Sequence, residues 1–184
     1  EATRELLGRA AIQYQQALQE RVDDTVFLLT ALRGLFADTT AVTDEAFAVA
    51  AQPLLPLYSS LDAVGWVRRV MPGGEARLER EARVQGVDDF AVHPPEAGGS
   101  PPEGDRFVLF HVQPAGAGRA RIGLDLAALP GHGAALERAC GGDRVAAAAP
   151  VSGWRFRAEA SGLSPSKSNG WSVGCGYVLV FQHD

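Results

Sequence analysis

The sequence is poor in the residues that specialised chemistry and membrane spanning require. Only two cysteines, Cys140 and Cys175, occur in 184 residues. They lie far apart and match no metal spacing. They read either as a disulfide in an oxidising compartment or as two small buried hydrophobes. A single lysine, Lys167, stands among 17 basic residues, and no basic run exists. With a net charge of −5, nucleic acid is excluded as the main partner, because phosphate binding needs a basic face. No apolar run approaches the roughly 20 residues needed to cross a bilayer, and no signal peptide is present.

Catalytic and cofactor motifs are equally scarce. There is no HExxH, P-loop, GxSxG or strand-linked GxGxxG. The four histidines, His93, His111, His132 and His183, fall in different elements without ligand spacing. Ser164 and Ser166 have no acid or base pattern beside them. The pairs Asp23–Asp24 and Asp88–Asp89 read as solvated faces or caps. No catalytic residue, metal site or cofactor is nominated, and the chain is not read as an enzyme.

What remains is ordinary for a folded protein, with 46% hydrophobic and 21% charged residues. The length suits one domain with an appendage. Up to about Phe36 there is no proline, and Leu7, Ala11, Tyr14, Leu18, Val22, Leu29, Leu32 and Phe36 recur in steps of three and four. That stagger predicts a long helix with one apolar face. Its length suggests a stalk or dimerising helix over residues 1–40, and Arg21 and Thr25 interrupt the seam. A second helix starts at Thr43, a plausible N-cap followed by Asp44 and Glu45. It ends near Gln52, where Pro53 and Pro56 intervene.

LDAVGWVRRV then reads as a strand. A helix is expected from Pro72 to Gly86, and a short strand at DFAVH. The Pro- and Gly-rich segment His93–Asp105 reads as a loop. RFVLFHVQ and RARIGLDL are expected strands joined by PAGAG, followed by a helix from Pro130 to Cys140. Strands near Val145–Glu159 and Ser172–Gln182 flank a polar loop. Short connections favour antiparallel pairing. The fold class is therefore α+β, a long N-terminal helix followed by a PAS-like antiparallel sheet over residues 41–184. The chain begins without Met in apparent helix and ends directly after an apolar run, so both ends read as cut from a longer protein.

One carboxylate stands out. Asp125 sits within GLDL, an aliphatic run, where an unpaired charge costs several kcal/mol. It either caps the helix that follows, pairs with an arginine or reaches solvent at a strand end, or else it edges a pocket and accepts hydrogen bonds from a ligand.

The order of segments resembles the CHASE domain, an extracytoplasmic sensor module of transmembrane receptors. The resemblance rests on LRGLF (Leu32 to Phe36), on LDAVGWVRRV with Trp66, Arg69 and Val70, and on Arg77–Leu78–Glu79–Arg80–Glu81. It continues through FVLFHVQP to GLDLAALPGHGAALERA, where Gly123, Asp125, Leu126, Pro130, Ala135, Leu136 and Ala139 match. Arg68, Ala128 and His132 depart from the usual pattern. The resemblance implies a stalk helix followed by a PAS-like sensor domain. It also implies a ligand held by Asp125, the position that meets the adenine ring in the cytokinin receptors of this family. Ala147 would add a main-chain contact. Val178, Val180 and Phe181 on the last strand, with Phe110 and Val112 on the aromatic strand, complete the implied ligand site. The parent would be an inner-membrane receptor with this part in the periplasm, most simply a homodimeric sensor histidine kinase, otherwise a diguanylate cyclase or phosphodiesterase. A ligand-free dimerisation or protein-interaction module is the competing reading.

Overall fold

The computed structural model describes residues 2–36, 42–58, 61–94, 103–115, 122–129, 131–142, 145–147, 168–173 and 178–183. Helix α1 runs Ala2–Leu35, as the absence of proline and the stagger of apolar residues predict. Every described side chain from residue 3 to residue 24 is exposed, whereas Thr25, Leu28, Leu29 and Leu32 are buried. Helix α2 spans Asp44–Ala51, and the Thr43 hydroxyl accepts the Ala46 N–H at 3.2 Å. That bond satisfies one of the donors a helix start leaves open. A single 3-10 turn, Leu55–Leu57, leads to strand β1, Leu61–Val70.

Helix α3 runs Glu75–Val84, three residues later than Pro72 suggested. The intervening turn places Gly73 at φ +82, a conformation that favours glycine over any side chain. DFAVH forms no strand. Among its residues His93 makes one isolated bridge to Leu124, and the Val92 N–H is taken by the Glu79 carboxylate at 3.1 Å instead of a ladder partner. Strand β2 follows at Arg106–Pro114. Most of the expected loop before it, residues 95–102, lies outside the described residues.

Of the expected strand RARIGLDL, residues 119–121 lie outside the described residues, and residues 122–126 form no regular strand. Leu109 and residues 123–124 exchange two backbone bonds, of 2.9 and 2.7 Å, and two isolated bridges tie Leu124 to His93 and Asp125 to Val108. Gly123 sits at φ +94, and a Cβ there would come within 2.1 Å of the Ala91 carbonyl oxygen. The ladder is interrupted at that glycine, and the chain enters a 3-10 turn, Leu126–Ala128. Helix α4 then spans His132–Gly142. Pro130, the expected start, lies outside the described residues.

Strand β3 is Val145–Ala147, and the rest of the expected strand, from 148 to 159, lies outside the described residues. The stretch expected as one strand near Ser172–Gln182 is two. Strands β4, Ser168–Val173, and β5, Val178–His183, pair antiparallel with Val173 opposite Val178. Only four residues, 174–177, separate them, so the chain reverses inside the expected strand. The five strands form one sheet in the order β2-β1-β5-β4-β3, with antiparallel neighbours throughout. The fold is α+β.

The β1–β2 ribbon separates two cores. On one side Val64, Trp66, Val70, Val108 and Phe110 pack with Leu28, Leu29 and Leu32 of α1, Phe47 of α2 and Leu78 of α3. On the other, Ala63, Val67, Phe107 and Leu109 pack with Leu124, Leu126, Leu129 and Leu136. Strand alternation assigns β2 residues to the two sides in turn, until the register shifts. Trp66 opposes His111 while Val67 opposes Leu109, which leaves Phe110 as the extra residue of a bulge. Beyond that bulge the alternation reverses. His111 therefore shares the first core with Phe110, while Val112 packs against the second.

Candidate functional site at the edge of strand β2

The Asp125 side chain is 0% exposed. It is buried by the turn that follows Gly123 and by the start of β2. Its Oδ1 accepts the Ala127 N–H at 3.0 Å and the Phe107 N–H at 3.2 Å. Its Oδ2 accepts a bond from Arg106 Nη1 at 3.0 Å. The carboxylate thus opens the Leu126–Ala128 turn, fastens it to β2 and is neutralised by a cation. Donors of this kind replace the water that the carboxylate loses on burial.

Arg106 carries a second acid. Its Nε donates to Glu75 Oε1 at the first residue of α3. The Glu75 carboxyl is held below its ordinary value, first by its own backbone N–H at the helix start and then by the Arg106 side chain. Arg106 is held more firmly charged than usual, with Glu75 the larger cause and Asp125 the next. Both Arg106 and Glu75 are partly exposed. A solute approaching this corner meets the Arg106–Glu75 pair first and the Asp125 carboxylate behind it.

The structure gathers some of the expected site residues and separates others. Val112 packs against the cluster that contains Leu124 and Leu126, the neighbours of Asp125. Phe110 lies in the opposite core, edge-on to Phe90 at 5.3 Å. The bulge accounts for the separation, since without it positions 110 and 112 would share a face. The Ala147 backbone is in β3, opposite Trp171 of β4. The backbones of Val178, Val180 and Phe181 are in β5, paired with Trp66, Val64 and Ala63 of β1. The side chains of these four residues lie outside the described set. Cys175 also lies outside it.

Sequence reasoning foresaw that an arginine could pair with Asp125 but did not name Arg106, and it missed Glu75. The only signal was an arginine opening an otherwise apolar strand. His111 was set aside for lack of ligand spacing, yet it is buried. Its Nε2 donates to the Val42 carbonyl at 2.8 Å, and its Nδ1 lies 3.3 Å from Asp44 Oδ1. Among the described residues no group of three or more His, Cys, Asp or Glu is placed to hold a metal ion. No described helix is long and apolar enough to cross a membrane.

No curated protein matches this chain. The family profile of the CHASE domain matches residues 40–159, a span that contains α2, β1, α3, β2, the Asp125 turn, α4 and β3. CHASE domains are extracytoplasmic sensor domains of membrane signalling receptors that bind small ligands and are not themselves catalytic. The chain belongs to the CHASE domain family.

Proposed function

We propose that the chain is the periplasmic ligand-sensing part of a bacterial inner-membrane receptor, with the ligand anchored at Asp125. The parent is a sensor histidine kinase in this reading, with a diguanylate cyclase or phosphodiesterase as the alternative output. A PAS-like fold is part of the proposal. Its support is a single antiparallel sheet whose first and last strands pair at the centre, with helices against the β1–β2 ribbon.

The observation that carries the ligand reading is the state of the Asp125 carboxylate. A carboxylate offers about four acceptor positions. Among the described residues Oδ1 receives two protein donors and Oδ2 one, from Arg106, which leaves capacity on Oδ2 for a donor from a ligand. The ligand offers a hydrogen-bond donor and a flat or apolar body, as adenine-type cytokinins and other small heterocycles or amines do. Val112 and the β5 residues Val178, Val180 and Phe181 are proposed as lining, with Ala147 contributing its main chain and Phe110 acting from the other core. Binding would change how the sheet packs on α1 by as much as the ligand prefers one packing over the other. Homodimerisation through the exposed part of α1 would carry that change onward.

Titration calorimetry with a panel of small heterocycles and amines tests the anchor. A hit is expected to weaken strongly in Asp125→Asn and to be unchanged in the exposed control Arg80→Gln. Wild-type binding by Asp125→Asn would make the carboxylate a structural clamp only. Exposed apolar residues along α1 favour one second reading, a dimerisation module without a ligand. A silent panel, together with no small molecule in mass spectra of the purified chain, supports that one.

A further inference from the structure

Helix α1 turns about 100° per residue. On that spacing Leu7, Ala11, Tyr14, Leu18, Val22, Thr25, Leu29, Leu32 and Phe36 fall within one stripe along the helix. The chemistry of the stripe barely changes along its length, but its surroundings change at one point. Leu7 is 66% exposed and Tyr14 69%, whereas Leu29 and Leu32 are 0% exposed. The reversal falls between Val22 and Thr25.

We infer that this stripe has two successive occupants: a second copy of the chain from Leu7 to Val22, and the helix's own domain from Thr25 to Phe36, with Arg21–Thr25 as the hand-over. The inference rests on the dimer reading given above and adds where the dimer seam must end. Three features favour an identical helix as the outer occupant. The steps of four and three are the spacing that packs helix against like helix. The exposed part, residues 3–24, spans about 33 Å, long enough for a seam of about three heptads. The positions flanking the seam between Leu7 and Leu18, namely Gly8, Ala10, Gln15 and Ala17, carry no charge, so two copies in parallel do not repel along it.

The domain bounds the seam from above. From Thr25 onward the stripe is filled by Phe47, Val64 and their neighbours in the core, so a partner helix on the same side cannot continue. The two copies have to part there. The Thr25 hydroxyl donates to the Arg21 carbonyl at 2.8 Å, a bond of the kind that bends helices. A change in the sheet that loosens Leu28, Leu29 or Leu32 frees more stripe for the partner and lengthens the seam. Seam length is then the quantity that a signal in the domain alters.

Sedimentation and cysteine cross-linking of the 184-residue chain test this. The chain is expected to be a dimer. Leu18→Glu should raise its dissociation constant about 100-fold or more, because it places a carboxylate in an apolar seam, with the melting temperature of the domain unchanged. Single cysteines at Leu7, Tyr14 and Leu18 should cross-link to their own counterparts, and one at Leu32 should not. A monomer at all concentrations overturns both the dimer and the hand-over. A dimer that cross-links equally at Leu32, or that joins Leu7 to Leu18 in mixed samples, overturns the hand-over and leaves dimerisation standing. If Leu32→Cys alters the melting temperature, Phe36→Cys, on the same stripe and half-buried, replaces it as the site expected not to cross-link.

Discussion

Two polar side chains are buried on the two sides of β2, and they solve the problem of burial in opposite ways. Asp125 stands beside the core under α4 and receives three donors, one of them an arginine. His111 stands in the core under α1 and α2. The Val42 carbonyl can only accept, so Nε2 carries the proton and Nδ1 faces Asp44. Burial lowers the His111 pKa, against the raising effects of the Val42 bond and Asp44, while Arg68 lowers it further. This site favours the neutral form. At His111 burial outweighs the partners that would favour charge.

The comparison breaks most visibly by truncating Asp125. Asp125→Ala strips Arg106 of its buried partner and removes the carboxylate that accepts the Phe107 and Ala127 N–H groups. The expected loss is about 3–5 kcal/mol, read from urea denaturation at neutral pH. A loss below about 1 kcal/mol would mean that the pair merely repays its own desolvation. Next in size is Gly123→Ala, which acts on the same clamp through the backbone. The alanine would need φ +94 and a Cβ 2.1 Å from a carbonyl oxygen. It should cost about 2–3 kcal/mol from strain and overpacking, measured by the same denaturation, whereas glycine at the exposed helical position Gly34 should accept alanine with a small gain.

These residues also mark what was readable from sequence. The long helix, the Thr43 cap, the first strand and the second were legible because period and capping chemistry are local. Gly123 was not read as a break, since nothing in RARIGLDL tells whether another backbone will approach it; the Ala91 carbonyl comes from a segment more than thirty residues earlier. The β4–β5 hairpin is hard to read as two strands, because apolar residues flank the two glycines of GCGY on both sides. The bulge at Phe110 has no sequence signature at all, and it decides that Phe110 and Val112 face different cores. Asp125 was legible as an anomaly. Its partners were not, because Arg106 and Glu75 are joined to it only by the topology that puts the starts of α3 and β2 at one corner.

A smaller effect distinguishes the His111 side. Its folded pKa lies below 6.5, the ordinary value. Between the two values the unfolded chain binds a proton that the folded chain does not, so stability rises with pH through that window and is lost as pH falls below 6.5. The slope cannot exceed about 1.4 kcal/mol per pH unit for one group. His111→Gln keeps a donor for the Val42 carbonyl and removes the titration. Denaturation midpoints of this variant should be flatter than wild type just below pH 6.5. Equal slopes would assign the acid sensitivity elsewhere. The charged groups that face this ring are Asp44 from α2 and Arg68 from β1.

The smallest expected effect is the sharpest test of the clamp. Glu75 is the larger of the two influences that hold Arg106 charged, yet its side chain is partly exposed and that of Asp125 is not. Exposure lets water replace a lost partner, so Glu75→Gln should cost under about 1 kcal/mol at neutral pH. Because the folded Glu75 pKa is lowered from 4.5, its contribution is present above 4.5 and is lost as pH falls through the lower folded value. Wild type and Glu75→Gln should therefore differ most at neutral pH and converge in acid. If Glu75→Gln instead costs as much as Asp125→Ala, the two acids hold Arg106 as one unit. Asp125 would then have no special standing at this corner, and the α3 start would belong to the proposed sensing site as fully as the turn behind it.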